Sequence, residues 1–401
     1  MRWVEKSIDE LGSVNRGRSR HRPRDAEHLY GGPYPFIQTG DVKHAGLYLT
    51  NHEQTYSEAG LAQSKLWKAG TLCITIAANI AETSILGIDA CFPDSVIGFI
   101  ANDKNADTRF VKYMFDATLK HRYRTFSQGV AQDNLSQDKL LSIKFKVPED
   151  VIDQRSIADV LAAYDEMITN NRRRIELLEQ SARLLFAEWF VRLRYPGHEH
   201  DKIVDGVPEG WEAIAVSGVI SVNPKEIVPN GAELWHVPMS SLSEIGMAID
   251  RSEFERRTKH TNVKFRNGDT LFARITPCLE NGKTGFVDVL EDGDIACGST
   301  EFIVLRGARV SAAFTYCLAR TEPLRQLAIK SMTGSSGRQR VQEECFDKFR
   351  LALPPQKLLI EFDDIASMCF GQSRNLRRQN EMLTKARDLF LPRLMDGRIS
   401  I

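Results

Sequence analysis

The stretch ITNNRRRIELLEQSARLLFAEWFVRL, residues 168–193, has the pattern of a helix almost throughout, and about 205 residues later the chain offers SRNLRRQNEMLTKARDLFLPRLMDGR. Around the first copy, Ile157, Leu161, Tyr164, Ile168, Asn171, Ile175, Leu178, Ala182, Leu185 and Trp189 step alternately by four and three. That is a heptad seam with one polar member. The second seam is rougher, with Phe362, Ile365, Cys369, Leu376, Leu383, Ala386 and Phe390 apolar and Asn380 where the first copy has Ile175. A helix of roughly 40 residues is on the order of 60 Å long at about 1.5 Å per residue. A rod with one apolar stripe needs a partner, and its own copy is the nearest candidate. Pairing is therefore assigned to Ile168, Ile175, Leu178, Leu185 and Trp189 on one helix and Leu376, Leu383 and Phe390 on the other. Asn171 is read as facing solvent where the stripe drifts, with register setting as the sharper alternative. Arg172, Arg173 and Arg174 cover three azimuths and are read as a wet face with partners such as Glu176 and Glu179. Residues 151–195 carry seven basic and seven acidic side chains, which argues against a basic membrane-surface helix.

The helix is one part of a longer repeat. Trp3 to Asn15 and Trp211 to Asn223 share the pattern W, nine residues, SVN. KAGTLCITIAANI (68–80) echoes RNGDTLFARITPC (266–278), each a Gly turn followed by an apolar alternating run that predicts a strand. SQGVAQDNLS (127–136) parallels TGSSGRQRVQ (333–342), a polar Gly loop in both. FKVPED (145–150) and LALPPQ (351–356) are apolar strands stopped by proline, and the long helix follows each. The chain is thus two copies of one α/β module plus helix. The boundaries are 1–150 for the first module, 151–194 for its helix, 195–210 for a linker, 211–355 for the second module and 356–396 for its helix. The fold class expected is α+β, two globular modules in a tandem pseudo-two-fold repeat separated by two long antiparallel coiled-coil helices.

Composition narrows the function. An apolar fraction of 42% in 401 residues can bury two or three cores. Lys plus Arg equals Asp plus Glu at 53 each, so an anion site has to be local. The most apolar long window, 74–92, carries Asn79, Glu82 and Asp89 and falls short of a membrane span, and MRWVEKSIDEL has no apolar core of a signal peptide. The seven cysteines are never spaced CxxC, which argues for reduced thiols and a cytoplasmic setting. No GxxxxGK[ST], GxGxxG, HExxH or GxSxG motif occurs. His198 and His200 resemble a metal pair without a third ligand nearby, and no acidic-x-Lys follows Pro93 and Asp94 at nuclease spacing. No catalytic and no metal-ligating residue is assigned.

What remains is recognition of phosphates and bases. NRGRSRHRPR (15–24) spaces Arg16, Arg18, Arg20, Arg22 and Arg24 with Gly and Pro, unsuited to a helix and suited to a loop on a phosphate backbone. RFVKYMFDATLKHRYRTF (109–126) interleaves basic and aromatic residues, and its aromatics are read mostly as core. In GSSGRQR (334–340), Ser335 and Ser336 allow close approach while Arg338, Gln339 and Arg340 can pair with guanine or adenine edges. Gln128, Gln132 and Asn134 occupy the matching loop of the first copy, and Asn79, Arg274, Asn281 and Lys283 complete the candidate DNA-binding set.

The order and duplication of these pieces resemble the specificity subunit of type I restriction-modification enzymes over nearly the whole chain. The marks are RW or GW opening each half, GDTLFARITPCLENGKTG with GSTEFIVLR, TGSSGRQRV, GVAQDNLS, and the proline-led VPEDVIDQRSIADVLAAYDEMI and LPPQKLLIEFDDIASM. The resemblance implies two target-recognition domains, each reading half of a bipartite asymmetric site in double-stranded DNA, with the helices setting the unread gap. It implies that this chain is not itself an enzyme. Two modification subunits with S-adenosylmethionine would supply adenine-N6 methylation, and motor-nuclease subunits with ATP and Mg would supply translocation and cleavage. The other classes open at this stage are a methyltransferase or nuclease in its own right and a coiled-coil scaffold that does not bind DNA. One departure is charge: residues 196–355 hold 19 basic against 22 acidic side chains, so partners are expected to share the phosphate neutralisation.

Overall fold

The computed structural model describes residues 1–120, 135–229, 231–258, 263–335, 337–399 and 401. It divides into two compact units, one made of Met1–Asn171 with Gln379–Ile401 and the other of Arg172–Arg378. The units do not follow the ends of the long helices. Each contains part of both, because a long helix with one apolar stripe is buried by whatever lies beside each of its turns.

In the first unit, β1 (Trp3–Ser7) pairs antiparallel with β11 (Lys144–Pro148), from Trp3 opposite Pro148 to Ser7 opposite Lys144. A five-stranded sheet has the order β2-β10-β7-β8-β4, where β2 is Gly12–Arg16, β4 Tyr48–Leu49, β7 Leu72–Thr75, β8 Thr83–Leu86 and β10 Val96–Ala101. A four-stranded sheet has the order β5-β3-β9-β6, from β3 (Tyr30–Phe36), β5 (Gln54–Tyr56), β6 (Leu66–Trp67) and β9 (Ala90–Cys91). Leu72, Ile74, Ile97 and Phe99 of the larger sheet pack with Phe110, Val111 and Phe115 of helix Thr108–Phe115. Asp107 caps that helix by accepting from the backbone N–H groups of Arg109 and Phe110.

The second unit repeats this plan. β14 (Glu212–Ala215) pairs with β23 (Arg350–Leu353), and one sheet has the order β15-β22-β19-β20, from Ile220–Val222, Phe302–Gly307, Thr270–Ala273 and Thr284–Phe286. The other has the order β17-β16-β21-β18, from Glu255–Arg257, Leu234–Val237, Ile295–Gly298 and Lys264–Arg266. Within the small sheets the parallel neighbours are β3 with β9 in the first unit and β16 with β21 in the second, so these sheets share connectivity as well as order. The two W-nine-SVN segments end on matching strands: Val14 lies opposite Phe99 on β10, and Val222 opposite Leu305 on β22. β4 has no counterpart among the described residues of the second unit.

The first long helix is Val151–Phe186, continued by a π turn Ala187–Val191, and the second is Gln356–Met395. In the first unit they run antiparallel: Asn171 meets Asn380, Arg387 meets Asp165, and the Tyr164 and Phe390 rings lie 6.3 Å apart. Asn171 is 6% exposed and its Nδ2 donates to Asn380 Oδ1 at 3.0 Å, so the solvent reading of this residue is overturned. Two amides that satisfy each other can sit on an apolar seam, where one alone would be costly. The second unit is antiparallel too. Glu179 and Phe370 meet on Tyr316, while Phe186 and Trp189 meet Phe362.

The pairing face differs from the seam drawn from sequence in its C-terminal half. Ile168, Trp189 and Leu376 are buried, but Ile175, Leu178, Leu185, Leu383 and Phe390 are half-buried, and the fully covered positions become Glu179, Ala182 and Phe186. A straight helix at 3.6 residues per turn drifts about 20° per heptad, which moves the buried stripe forward by one residue. Glu179 is therefore not a solvent partner of the arginine run, whereas Arg173 does pair with Glu176 at 3.0 Å.

Residues 195–210 are folded as well. Tyr195 is buried with its ring 4.8 Å from Trp211 and its hydroxyl donating to Asp201 at 2.7 Å. Asp205 and Gly206, at φ +49° and +79°, turn a hairpin between Ile203–Val204 and Val207–Pro208. In the first unit Trp3 lies over Gly397, where a Cβ would come within 2.8 Å of its Nε1.

Candidate nucleic-acid interface

The arginine loop after β2 is tied down before it can offer charge. Gly17 donates its N–H to the Val96 carbonyl and Arg18 donates to the Phe92 carbonyl, and a Cβ at Gly17 would lie 2.2 Å from the Pro93 oxygen. Gln63 Oε1 accepts from the N–H groups of Arg20 and His21 at 2.6 and 3.0 Å. Three of the five guanidinium groups are used inside the chain. Arg16 donates to the Asp94 carbonyl, Arg22 to the carbonyls of Ser19 and His21, and Arg24 to both oxygens of the Asp94 carboxylate at 3.0 and 2.9 Å. Arg18 and Arg20 are exposed, and among the described residues their side chains have no partner. Asn79 is half-buried in the turn between β7 and β8, flanked by Ala78 and Ala81 at φ +60° and +63°, and its carbonyl accepts from the Thr75 hydroxyl. Gln128, Gln132 and Asn134 lie outside the described residues, as does Ser336.

The corresponding loop of the second unit is a small ladder. Arg274 and Val341 exchange backbone contact through Val341 N–H, Thr276 N–H donates to the Gln339 carbonyl, and Arg340 and Thr333 exchange two backbone bonds. Side chains reinforce it: Arg340 grips the Glu301 carboxylate with Nε at 2.9 Å and a terminal nitrogen at 2.6 Å, and Arg274 donates to the Val341 carbonyl at 3.2 Å and to Glu343 at 3.3 Å. The guanidinium of Arg340 beside it holds the Glu301 carboxyl below its usual range. At the tip, Gly337 takes φ +77°, and Arg338 and Ser335 are exposed. Among the described residues no partner holds the side chains of Arg338 and Gln339. Of the other assigned residues, Asn281 donates to Glu244 at 3.1 Å and Lys283 to the Met239 carbonyl at 3.3 Å. Six of the eight assigned residues of this unit thus separate into holders (Arg274, Asn281, Lys283, Arg340) and groups without a side-chain partner among the described residues (Arg338, Gln339).

The described part of the basic-aromatic stretch 109–126 is spent on structure. Arg109 pairs with Asp107 and Asp159, Lys112 is buried against Asp116, and Tyr113 is 1% exposed. His198 is half-exposed with Nδ1 2.7 Å from the Tyr195 carbonyl, and no cluster of three or more His, Cys, Asp or Glu fit for a metal occurs among the described residues. No helix among them is long and apolar enough to cross a membrane.

Sequence reasoning missed three features. The first is the pair of buried carboxylates on the first long helix. Tyr113 donates to Asp165 Oδ2 at 2.7 Å and Tyr316 to Glu179 Oε1 at 2.6 Å, and burial pushes both phenols up. Each acid lies one residue off the seam drawn from sequence, so the heptad pattern held no signal for either. The second is Arg256, stacked 4.0 Å over the Trp235 ring on neighbouring strands, for which sequence has no signal across 21 residues. The third is an outward apolar set on the long helices. Leu177 and Leu184 are 45% and 59% exposed, and the residues 205 positions on, Met382 and Leu389, are 64% and 54% exposed.

Comparison with known proteins places the chain. Residues 1–180 match the family described as Type I restriction modification DNA specificity domain. The specificity subunit of type I restriction enzyme MjaIX from Methanocaldococcus jannaschii is 24% identical across 100% of this chain and 94% of that protein. The EcoEI specificity subunit of Escherichia coli is 32% identical over a shorter match, 37% of this chain and 26% of that protein. In fold, the S subunit of a type I restriction-modification system from M. genitalium superposes with a TM-score of 0.59 over 98% of this chain and 96% of that one, at 12% identity.

Proposed function

From the match of residues 1–180 to the type I restriction modification DNA specificity domain and the likeness of the whole chain to the MjaIX specificity subunit, we propose that this chain is a specificity subunit whose two α/β modules each read one half of a bipartite site in double-stranded DNA while its long helices set the interval between the halves. One observation carries this reading. The same strand order is built twice, and each copy presents arginine that has no side-chain partner among the described residues on a loop pinned by internal bonds: Arg18 and Arg20 in the first unit, Arg338 in the second. Such a loop offers direction at little entropic cost on binding. Arg338 and Gln339 are assigned to base edges, with Ser335 and Ser336 letting the backbone close in. Arg18 and Arg20 are assigned to phosphates, with Arg16, Arg22, Arg274 and Arg340 holding the loops.

The chain selects DNA and does no bond chemistry of its own in this reading. Methyl transfer with S-adenosylmethionine belongs to modification subunits, and ATP- and Mg-dependent translocation and cleavage to motor-nuclease subunits. The repeated outward residues Leu177, Leu184, Met382 and Leu389 support two equivalent seats for two copies of the modification subunit. Footprinting of the reconstituted complex tests the reading. Two short protected segments flanking a sequence-tolerant gap are expected; uniform, sequence-independent protection would contradict it, as would turnover by the purified chain alone.

A further inference from the structure

Both modules pack on the helices through buried apolar side chains, and they differ in what stands beside that packing. In the second unit the Tyr316 hydroxyl reaches Glu179, but the ring is fully buried and lies 6.0 Å from Phe286 and 5.6 Å from Phe370. Close aromatic packing sets that orientation, and the hydrogen bond adds to it. In the first unit the matching bond, Tyr113 to Asp165, borders a cavity of about 390 Å³ lined by Thr83, Lys112, Tyr113, Asp116, Asp165 and Arg387. The cavity has room for several waters. A wall that faces a cavity exerts no packing force on that side.

Ile157, Leu161 and Leu394 of the long helices share the first module's core, and beside the cavity directional polar contacts add to that packing. One carboxylate collects them: Asp165 takes the Tyr113 hydroxyl on Oδ2 and the Arg387 guanidinium of the second long helix on Oδ1. Beside it, Asp116 takes the Thr83 hydroxyl at 2.8 Å and the Lys112 ammonium, which extends the network into β8. The side chains of Asp165 and Lys112 are each 8% exposed, so bulk water does not compete for these bonds.

We propose that Asp165 is a positioning residue that sets the angle at which the first module is carried on the helices, and with it the tolerated interval between the two half-sites. This rests on the bipartite DNA reading above. The residue 205 positions after Asp165 is Phe370 and the one 205 positions after Glu179 is Thr384, so the second long helix has no carboxylate at either place. The second module has its own polar contacts to the helices, the Met247 N–H on Glu179 and Arg377 with Asp288, so the Asp165 site differs from them in its partners and in the cavity beside it.

The test uses the reconstituted complex and a DNA library in which the interval varies by one base pair either way. Loss of one hydrogen bond to a charged group corresponds to roughly a tenfold change or more. Tyr113→Phe and Asp165→Asn are each expected to narrow the preference for the best interval about tenfold while base discrimination inside each half-site stays at the wild-type level. Tyr316→Phe is expected to lower the melting temperature and leave the interval preference intact. The proposal is overturned if either first-unit variant, folded by circular dichroism, keeps the wild-type interval preference, or if base discrimination within the half-sites falls along with it. A wild-type complex with no preferred interval would instead remove the bipartite reading itself.

Discussion

The first and second units share one strand order and differ in what holds them to the helices. The first combines aliphatic packing by Ile157, Leu161 and Leu394 with Asp165, Arg387 and Tyr113 beside a cavity; the second relies on Phe186, Trp189, Phe190, Phe314 and Phe362, whose rings contact one another at 4.8 to 6.5 Å. Apolar alternation and turn chemistry suffice to repeat a topology, since any well-packed set of apolar side chains can satisfy the same strand order. The fastening is free to diverge, and it has diverged toward aliphatic packing with a polar site beside a cavity in one copy and toward packed aromatic rings in the other.

The largest effect is expected where the aromatic fastening is cut. Phe362→Ala should cost about 3–5 kcal/mol in denaturant unfolding, with the loss of hydrogen-exchange protection centred on the second unit; a loss shared equally by both units would break the comparison. Next comes the recognition loop. Arg338→Ala should weaken discrimination at one position of the second half-site by about 1–3 kcal/mol and leave the first half-site untouched, as read by binding to single-base variants of the site. A loss equal on every DNA would reassign Arg338 to a phosphate.

A similar but structural effect is expected at the amide pair of the first unit. Asn171→Leu leaves the half-buried Asn380 amide without its Asn171 partner and should cost about 1–3 kcal/mol. Asn171→Leu with Asn380→Leu should recover most of that stability, so a double-mutant cycle measures the coupling. Additive losses would show that the two amides do not act as a pair. The smallest effect is a pH response of the second loop. The Arg340 hydrogen bond holds the Glu301 carboxyl below its usual range, so its contribution is present above the ordinary glutamate value near about 4.3 and is lost as pH falls through the lowered one. Amide exchange at Thr333 and Arg340 should therefore rise selectively at acid pH, and Glu301→Gln should abolish that dependence.

Much of this architecture was legible in the sequence. The two W-nine-SVN segments fall on equivalent strands, the Gly-led runs at 68–80 and 266–278 become β7 and β19, and the proline-stopped strands precede the long helices. These are local patterns, and local patterns survive without knowledge of tertiary contacts. The use of each arginine was not legible. Arg24 finds Asp94 at 70 residues' separation and Arg340 finds Glu301 at 39, so a run of basic residues does not reveal which charges remain free. The same limit hid the buried acids. Asp165 and Glu179 look like wet-face residues until Tyr113, 52 residues away, and Tyr316, 137 residues away, supply hydroxyls. The drift of the seam from Leu178 to Glu179 and from Leu185 to Phe186 was hidden for a different reason, since a heptad count assumes a supercoil that the helix need not follow.

The most direct test of the account is to replace residues 1–150 with the equivalent module of a relative of different specificity and to map methylated adenines across the genome of cells carrying the complete system. The account predicts a bipartite motif in which one half changes, the other half is retained and a gap of unread bases persists between them. A continuous motif, an unchanged motif, or a change in both halves at once would contradict it.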